Sequence, residues 1–374
     1  MRRSMFILVF CLSLVCVGDR VFAADARGSG ETQFKSLAAA AKKEGQLNLY
    51  IGRLSWGDII TKEFAKGYPE IKITTFYGRD NFLNERIMTE RRAGKNLADI
   101  SVQGTTSSIQ LLKANVLEPI KTVLVLPDVL DQQNWYGGKH QYMDHEGYVF
   151  LFVANSQSES AVQYNSKLVD PKEISSYWDF LNPKWKSKME ARDVRTPGPG
   201  NGVMRFFYHN SELGPKFIRR LFSEMDITLY RELRQGADWL ATGKFAICFF
   251  CEIRQATEQG LPVAAFGALK EGAGVSVGDG ALTLLKDSAH PNAAKLFLNW
   301  FLSRDGQLAF QTAAAKFPND AVDSRRIDIP KDHVPSDRRR VSGYQYIDID
   351  TPERRDNGPP MKIFLEALEE TKKL

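Results

Sequence analysis

The stretch from Gly278 to Phe310 constrains the fold more than any other part of the chain. It begins with a short apolar run, Ala281 to Leu285, which has the length of a buried strand. A polar turn follows, and Pro291 then stands where a helix accepts proline, at its first position. Apolar residues continue at helical spacing as far as Phe301, and Ser303 is placed to cap a second helix. The pattern predicts a strand, a tight turn and two packed helices.

Length and composition indicate a soluble protein with more than one core. The chain has 374 residues, of which 43% are hydrophobic and 25% are charged. These fractions are typical of globular proteins, and this length exceeds what one hydrophobic core usually organises. We therefore expect two lobes or domains.

Strands and helices alternate through the first part of the chain. Predicted strands at Leu47–Ile51, Ile71–Phe76 and Asp99–Val102 are separated by helical patterns with short links, which indicates a parallel sheet covered on both faces. Ligands of such sheets bind beyond the carboxyl ends of the strands. The loops Gly52–Trp56 and Gly104–Ser108 are therefore candidate binding loops. Their candidate ligand-binding residues are Arg53, Trp56, Thr105 and Ser107.

Two further candidate segments lie in the second half of the chain. Glycines between Arg195 and Gly202 precede a predicted helix, so backbone N–H groups there either bind an anion or form an ordinary loop-to-helix connection. Residues Cys251–Arg254 follow a predicted strand, Phe245–Phe249, and should lie at its ligand-binding end. The candidate ligand-binding residues from these segments are Arg195, Gly200, Asn201, Glu252 and Arg254.

Cys248 and Cys251 form a C-x-x-C motif, which allows a disulfide or a redox site. A strand over Ala246–Phe250 would point residues three apart to opposite faces, which argues against a redox pair. Both alternatives stay open at this point.

The N-terminus has the pattern of a secretory signal peptide. Arg2 and Arg3 precede an apolar run, and Val21-Phe22-Ala23 offers small residues at a cleavage site after Ala23, with Ala26 as an alternative. Removal of residues 1–23 changes the formal net charge from +5 to +3. This charge is too small to favour a nucleic-acid partner.

Three segments resemble periplasmic solute-binding proteins of ABC importers of the iron, thiamine and polyamine type. The first is Ala40–Tyr50, followed by Tyr68-Pro69. The second is Asn165–Lys186, with its tryptophan-aspartate and tryptophan-lysine pairs. The third is His290–Gln307. The resemblance covers about residues 35–320.

The resemblance implies an α/β fold of the two-lobed periplasmic binding protein type (type II). Each lobe would be a mostly parallel sheet flanked by helices, and a hinge would join the lobes. The first lobe would comprise residues 32–155 and 276–322, and the second lobe residues 160–275. Residues 1–23 would be the signal peptide. Residues 323–374 would be a charged C-terminal extension, which we interpret as a solvated surface segment closed by a helix.

In function, the resemblance implies the substrate-binding component of an ABC uptake transporter. Such a protein captures a small solute between its lobes and delivers it to an inner-membrane permease and its ATPase. We expect a periplasmic monomer without cofactor or metal. Iron-binding members of the family use an adjacent tyrosine pair, which this sequence lacks. A small anionic organic solute, bound by Arg53 and Arg254, is therefore the expectation, with ferric iron bound without that pair as the alternative.

An enzyme is the alternative of a different class. The sequence contains no H-E-x-x-H, G-x-S-x-G or P-loop motif. A secreted hydrolase would have to use a scattered set of catalytic residues. A binding protein is therefore the expectation.

Overall fold

The computed structural model describes residues 18–52, 55–196, 198–317 and 320–371. Arg53 and the first part of the expected signal peptide lie outside these ranges. Helix α1, at Gly18–Glu44, runs through the expected cleavage site at Ala23, and cleavage stays a prediction. No helix in the described part of the chain combines the length and the apolar character needed to cross a membrane.

The first stretch of chain builds most of lobe 1. Its strands are β1 (Gln46–Ile51), β2 (Lys72–Tyr77), β3 (Ile100–Gln103), β4 (Leu117–Glu118) and β5 (Val149–Leu151). After α1, its helices are α2 (Gly57–Gly67), α3 (Asp80–Arg92), α4 (Thr105–Lys113) and α5 (Pro127–Leu130). Short 3-10 helices occupy Ile120–Thr122, Gln132–Asn134 and Tyr136–Gly138.

The middle of the chain builds lobe 2. Its strands, after a crossing strand β6 (Asn155–Ser156), are β7 (Val162–Asn165), β8 (Met189–Arg192), β9 (Thr228–Tyr230), β10 (Ile247–Phe249) and β11 (Val263–Ala265). Its helices are α6 (Ser158–Ala161), α7 (Pro199–His209), α8 (Gly214–Glu224), α9 (Leu233–Ala241) and α10 (Arg254–Glu258). Three 3-10 helices lie at Pro171–Glu173, Tyr177–Leu181 and Pro183–Trp185.

The chain then returns to lobe 1 and ends across both lobes. The elements of this part are β12 (Ala273–Ser276), β13 (Ala281–Leu285), α11 (Pro291–Leu302), α12 (Arg304–Ala314), β14 (Tyr346–Asp348) and α13 (Gly358–Glu370). The return follows the sequence prediction: Pro291 opens α11, and the Ser303 hydroxyl accepts a hydrogen bond from the Gly306 N–H at 3.2 Å. Nearly all apolar residues of α11 are buried in the core of lobe 1, because this helix packs its apolar face against the sheet.

Three sheets organise the molecule. In lobe 1 the strand order is β2-β1-β3-β13-β4, with β5 also paired to β13; β1, β2 and β3 are parallel, and β13 runs antiparallel to its neighbours. In lobe 2 the order is β11-β7-β10-β8-β9, with β8, β9 and β10 parallel. A small third sheet, β14-β12-β6, joins both crossings between the lobes to the C-terminal segment. The two-lobed α/β fold class is confirmed. The expectation of a mostly parallel sheet in each lobe was wrong: β13 in lobe 1 and β7 in lobe 2 each pair antiparallel with their neighbours, so both sheets are mixed.

The C-terminal segment is not the solvated surface extension that its charge pattern indicated. Arg325 and Arg326 are both fully buried. Arg325 forms a bidentate pair with Asp348, and Arg326 donates to Asp128 and Asp328, each at 2.7 Å. That expectation was wrong because the alternating acidic and basic residues pair with one another and with lobe 1 instead of with water.

The last helix attaches this segment to lobe 2. Phe364 of α13 is fully buried and packs edge-on against Phe222 of α8, with ring centroids 4.8 Å apart. Two ion pairs from Arg219 to Glu366 and Glu370 flank this apolar contact. The C-terminal segment therefore contacts lobe 1 through its arginines and lobe 2 through its helix.

Candidate functional site

A crevice lies where the two lobes and the C-terminal segment meet. It consists of two neighbouring cavities that share Asn155, Gly278 and Arg338 as lining residues. The larger cavity, about 660 Å³, lies against lobe 2, and the smaller one, about 100 Å³, lies against lobe 1. Because both crossings between the lobes border it, the crevice occupies the position of an interlobe cleft.

The lobe 1 side of the crevice carries a group of carboxylates. Asp279 stands between Asp80 and Asp320; desolvation and then the negative charges of these two neighbours raise the pKa of Asp279. Asp80 accepts a hydrogen bond from the Gly104 N–H at 2.8 Å, and Asp320 accepts one from the Ser55 N–H at 2.6 Å. The two outer carboxylates are thus held by backbone groups, which fixes a negatively charged wall around Asp279.

Aromatic rings stand next to this acidic wall. Trp56, Phe152 and Phe310 line the smaller cavity together with Asp279 and Asp320. Trp56 is only 2% exposed and packs edge-on against Phe310, with ring centroids 4.9 Å apart. The rings give the lobe 1 side a rigid apolar surface beside the carboxylates.

The lobe 2 side is acidic as well, but it carries a guanidinium group. Arg254 lines the larger cavity and lies 3.6 Å from Asp337, which the C-terminal segment contributes. Burial, and then the charge of Asp337, raises the pKa of Glu159 on the same wall. Arg338 also approaches Asp337, at 3.9 Å. Both guanidinium groups in the described part of the lining, those of Arg254 and Arg338, therefore have a carboxylate beside them.

The described lining carries more negative than positive charge. It includes two guanidinium groups, from Arg254 and Arg338, and no tyrosine among the described residues. Its six carboxylates belong to Glu159, Glu252, Glu258, Asp279, Asp320 and Asp337. Such a lining attracts cations and repels anions.

Three of the sequence-predicted residues lie at the crevice. Glu252 and Arg254 line the larger cavity, as expected from their position after β10. Trp56 lines the smaller cavity, although the side chain belongs mainly to the core of lobe 1. Arg53 lies outside the described residues.

The other predicted residues line neither cavity of the crevice. Thr105 and Ser107 form the first turn of α4. Arg195 pairs with Asp193 at 2.8 Å and borders a separate surface cavity. Gly200 lies against the Phe250 ring, and Asn201 caps α7 by accepting from the Gly198 N–H at 2.9 Å. A role for these five residues in binding stays a prediction.

Sequence reasoning missed most of the acidic lining. Asp279 stands between two glycines directly before β13, so its position at a strand boundary was the one available signal. Asp337 and Arg338 belong to the C-terminal segment that was interpreted as solvated. No local pattern connects them with the crevice, because their approach depends on contacts distant in sequence.

The two cysteines form a disulfide at the edge of the crevice. The argument against close sulfur atoms fails because β10 ends at Phe249, and Phe250 adopts a left-handed backbone with φ of 68°. Cys251 is thereby turned back toward Cys248. It lines the larger cavity and is 6% exposed.

One set of described residues has the composition of a metal site. The ligand atoms of Glu190, Cys248 and Cys251 lie within 4.8 Å of one another. Zinc and related ions bind cysteine as the thiolate. Because the sulfur atoms are joined in a disulfide, this set offers no thiolate to a metal in the oxidised protein.

Comparisons with known proteins agree with this architecture. The IdiA (FutA) protein of Trichodesmium, in complex with iron and citrate, superimposes with a TM-score of 0.59 at 16% identity, covering 88% of this chain and 99% of that one. Apo FutA2 of Synechocystis PCC6803 also gives a TM-score of 0.59 at 16% identity and covers 86% and 98%. AfuA of Actinobacillus pleuropneumoniae with bound fructose-6-phosphate gives 0.54 at 17% identity and covers 88% and 99%. At these identities the likeness shows the fold alone.

The family assignment rests on the amino-acid sequence, which matches the model of one protein family over most of the chain. The model for bacterial extracellular solute-binding proteins matches residues 60–320. This family is one of extracytoplasmic transport proteins and not a class of enzymes, and its members bind small solutes for ABC permeases. The resemblance stated from the sequence is confirmed. The chain belongs to the family of bacterial extracellular solute-binding proteins and is the solute-binding component of an ABC importer.

Proposed function

We propose that this protein captures a small organic solute with a positively charged group in the crevice between its lobes. It acts in the periplasm as a monomer, after removal of residues 1–23, and performs no catalysis. It delivers the solute to an inner-membrane permease and its ATPase. The proposed charge of the solute rests on the part of the lining that the structure describes, which contains six carboxylates and two guanidinium groups.

The charge argument rests on desolvation. A solute that enters the crevice loses water, so its charged group has to be compensated by the protein. Asp279 offers such compensation because its carboxylate is crowded by Asp80 and Asp320, and a cation would relieve that repulsion. The rings of Trp56 and Phe310 beside it suit an organic ammonium group, which aromatic faces attract.

The sequence-based expectation of an anionic solute remains untested, and the described lining weighs against it. Arg254 is adjacent to Asp337, so an anion would have to compete with that carboxylate for the guanidinium group. Arg338 is near the same carboxylate. An anion would also lie close to Glu159 and Glu252 on the same wall.

Ferric iron is the second candidate. Carboxylate oxygens are hard ligands, and the group around Asp279 offers three of them on one wall. The Trichodesmium protein of the same fold was solved with iron and citrate. Iron-binding members of the family use an adjacent tyrosine pair, and the described lining contains no tyrosine. An organic cation is therefore the better fit.

Mass spectrometry of the solute released by denaturing freshly purified protein tests the proposal, with metal analysis of the same sample. A copurified organic amine or quaternary ammonium compound would support it. Stoichiometric iron would favour the second candidate instead. A copurified carboxylate or phosphate ester without a cationic group would contradict the charge assignment and restore the anionic expectation.

A further inference from the structure

A buried carboxyl group lies directly beside the disulfide. In the parallel pair of β8 and β10, Glu190 stands opposite Cys248, so both side chains project from the same face of the sheet. A carboxylate oxygen of Glu190 and both sulfur atoms lie within 4.8 Å of one another. Glu190 is fully buried, and neither of its carboxylate oxygens has a hydrogen-bond partner among the described residues.

A tyrosine completes the surroundings of the sulfur atoms. The Tyr230 hydroxyl, from the neighbouring strand β9, lies 3.5 Å from Cys248 Sγ and 3.2 Å from Cys251 Sγ. An O–H group at this distance can donate to a thiolate on either cysteine. The disulfide is therefore flanked by two groups that can supply a proton or a hydrogen bond to sulfur.

We propose that Cys248 and Cys251 form a redox-active pair that exchanges with dithiols, and that Glu190 transfers the proton of this exchange. The idea does not depend on which solute the crevice binds. A structural disulfide needs no proton carrier, and an unpartnered buried carboxyl group costs stability. A role in proton transfer to the neighbouring sulfur atoms would explain why a destabilising carboxyl group is buried at this position.

Access decides which sulfur reacts first. Cys251 is 6% exposed and lines the crevice, whereas Cys248 is fully buried. An incoming thiolate therefore attacks Cys251 Sγ from the crevice. Cys248 is the leaving group, and it departs on the side where Glu190 lies.

The exchange proceeds in two thiol–disulfide displacement steps. One thiol of the dithiol loses its proton to water, and its thiolate forms a bond to Cys251 Sγ while the bond between the two cysteines breaks. Cys248 leaves with the electron pair and takes the proton of Glu190. The second thiol of the dithiol also loses its proton to water, and its thiolate then displaces Cys251 from the mixed disulfide. Cys251 and Glu190 are reprotonated, so the dithiol is oxidised to a disulfide and the cysteine pair is reduced.

The protonation state of Glu190 at neutral pH suits this step. Burial raises the pKa of Glu190 to about 9, and the positive charge of Lys244 opposes that rise. Among the described residues, the Tyr230 hydroxyl on β9 and Arg192, two residues along β8, belong to the same face of the sheet. Gln163 of β7 lies opposite Cys248 on its other side. Glu190 therefore holds a proton near neutral pH that the leaving Cys248 thiolate can take up.

Native reduction kinetics test the proposal. The oxidised full-length mature protein is treated without denaturant with dithiothreitol, or in a second arm with a purified thioredoxin-type protein, and free thiols are trapped by alkylation and counted by mass. We expect native reduction in at least one arm. Reduction by dithiothreitol alone would indicate small dithiols as reactants, and reduction by the protein would indicate a protein dithiol.

The variants test the role of each residue. Glu190→Gln should slow the exchange about 100-fold near neutral pH, the lower part of the usual contribution of general acid catalysis. The difference should vanish above pH of about 9, where Glu190 itself is ionised. Glu90→Gln, a substitution in lobe 1 far from the sulfur atoms, should exchange like the parent. In Cys248→Ser the remaining thiol should react with a disulfide reagent, and in Cys251→Ser it should not.

Two results would overturn the proposal. If neither dithiol reduces the native protein while both reduce it after unfolding, the disulfide is structural only. If Glu190→Gln matches the parent at every pH, Glu190 transfers no proton. The cysteine variants keep the first-attack assignment testable even where Glu190→Gln folds poorly.

Discussion

Arg254 of lobe 2 and Asp337 of the C-terminal segment lie 3.6 Å apart on the same wall of the crevice. This pair makes the C-terminal segment part of the binding wall. It also places a negative charge beside the arginine that the sequence pattern assigned to an anion. The charge of the solute can therefore be tested by changing one charge at a time.

Substitutions of opposite charge should separate a cationic from an anionic solute. With the solute identified by mass spectrometry, Asp279→Asn should weaken binding about 10- to 100-fold, because a charge-assisted hydrogen bond contributes about 1.5–3 kcal/mol. Arg254→Ala should leave the affinity unchanged or raise it, because it removes a positive charge. Titration calorimetry measures both.

The surface variant Asp305→Asn serves as the control, since this carboxylate is 89% exposed and lies outside the crevice lining. The reverse ranking, in which Arg254→Ala weakens binding and Asp279→Asn does not, would establish the anion clamp that the sequence suggested.

Arg326 should be a major source of stability for the C-terminal segment. It is fully buried, donates to Asp128 and Asp328, and lies over the Trp135 ring. Arg326→Ala should lower the free energy of unfolding by about 3 kcal/mol, the lower end for breaking a buried pair, because both carboxylates are partly exposed. Urea unfolding measures the change.

Arg304→Ala is the matched control, because Arg304 is half-exposed and its distance to Asp305 is 3.9 Å. This variant should change the free energy of unfolding by less than about 1 kcal/mol. Equal effects of the two substitutions would mean that the buried pairs contribute no more than surface pairs.

A side chain at Gly272 should destabilise the contact between the C-terminal segment and the small third sheet. It has φ of 84°, and an added Cβ would overlap the carbonyl oxygen of Gln345, which accepts the Ala273 N–H at 3.0 Å. Gly272→Ala should therefore cost about 2–4 kcal/mol, from the left-handed backbone and the overlap together. Gly260 has φ of 71° but no atom near its Cβ position, so Gly260→Ala should cost about 1 kcal/mol. Similar melting temperatures for the two variants would contradict the close approach.

The sequence predicted those elements whose formation depends on interactions within a few residues of the chain. The strand Ala281–Leu285, the helix opened by Pro291 and the cap at Ser303 follow from apolar spacing and capping chemistry within a few residues. The burial of Arg325 could not be predicted in this way, since it depends on Asp348, 23 residues further along the chain. An alternating charge pattern in the sequence does not distinguish side chains that face water from side chains that form buried ion pairs.

The candidate site was predictable only in part for the same reason. Glu252 and Arg254 line the crevice because they follow β10, which pairs in parallel with β8, and the carboxyl ends of parallel strands face the crevice. Their role in binding solute stays a prediction. Asp279, Asp320 and Asp337 come from three separate segments, and only the packed structure brings them together. The sequence left the disulfide open, because the left-handed backbone of Phe250, which brings Cys251 back toward Cys248, is not signalled by a glycine.

Solute binding should close the two lobes around the crevice. The crossings at Asn155–Ser156 and Ala273–Ser276 are short paired strands, so a small change of backbone angles there can rotate one lobe against the other. The radius of gyration from small-angle scattering should fall when the identified solute saturates the protein. An unchanged radius would mean that the crevice binds solute without closure.

Glu190 should make the stability of the oxidised protein depend on pH. Burial raises its pKa from 4.5 to about 9, so the folded protein holds a proton that the unfolded chain releases. The stability contributed by this protonated group is complete below pH 4.5 and is lost as pH rises toward 9. The loss amounts to at most about 1.4 kcal/mol per pH unit.

Glu190→Gln keeps the size of the side chain and removes the titration. The free energy of unfolding, measured in urea between pH 5 and pH 9 with the disulfide intact, should therefore fall more steeply for the parent than for this variant. Glu90→Gln retains Glu190 and should follow the parent's slope. If the curves of the parent and Glu190→Gln run parallel over this range, the carboxyl group is already ionised in the folded protein. Glu190 would then be unable to donate a proton to the Cys248 thiolate at neutral pH.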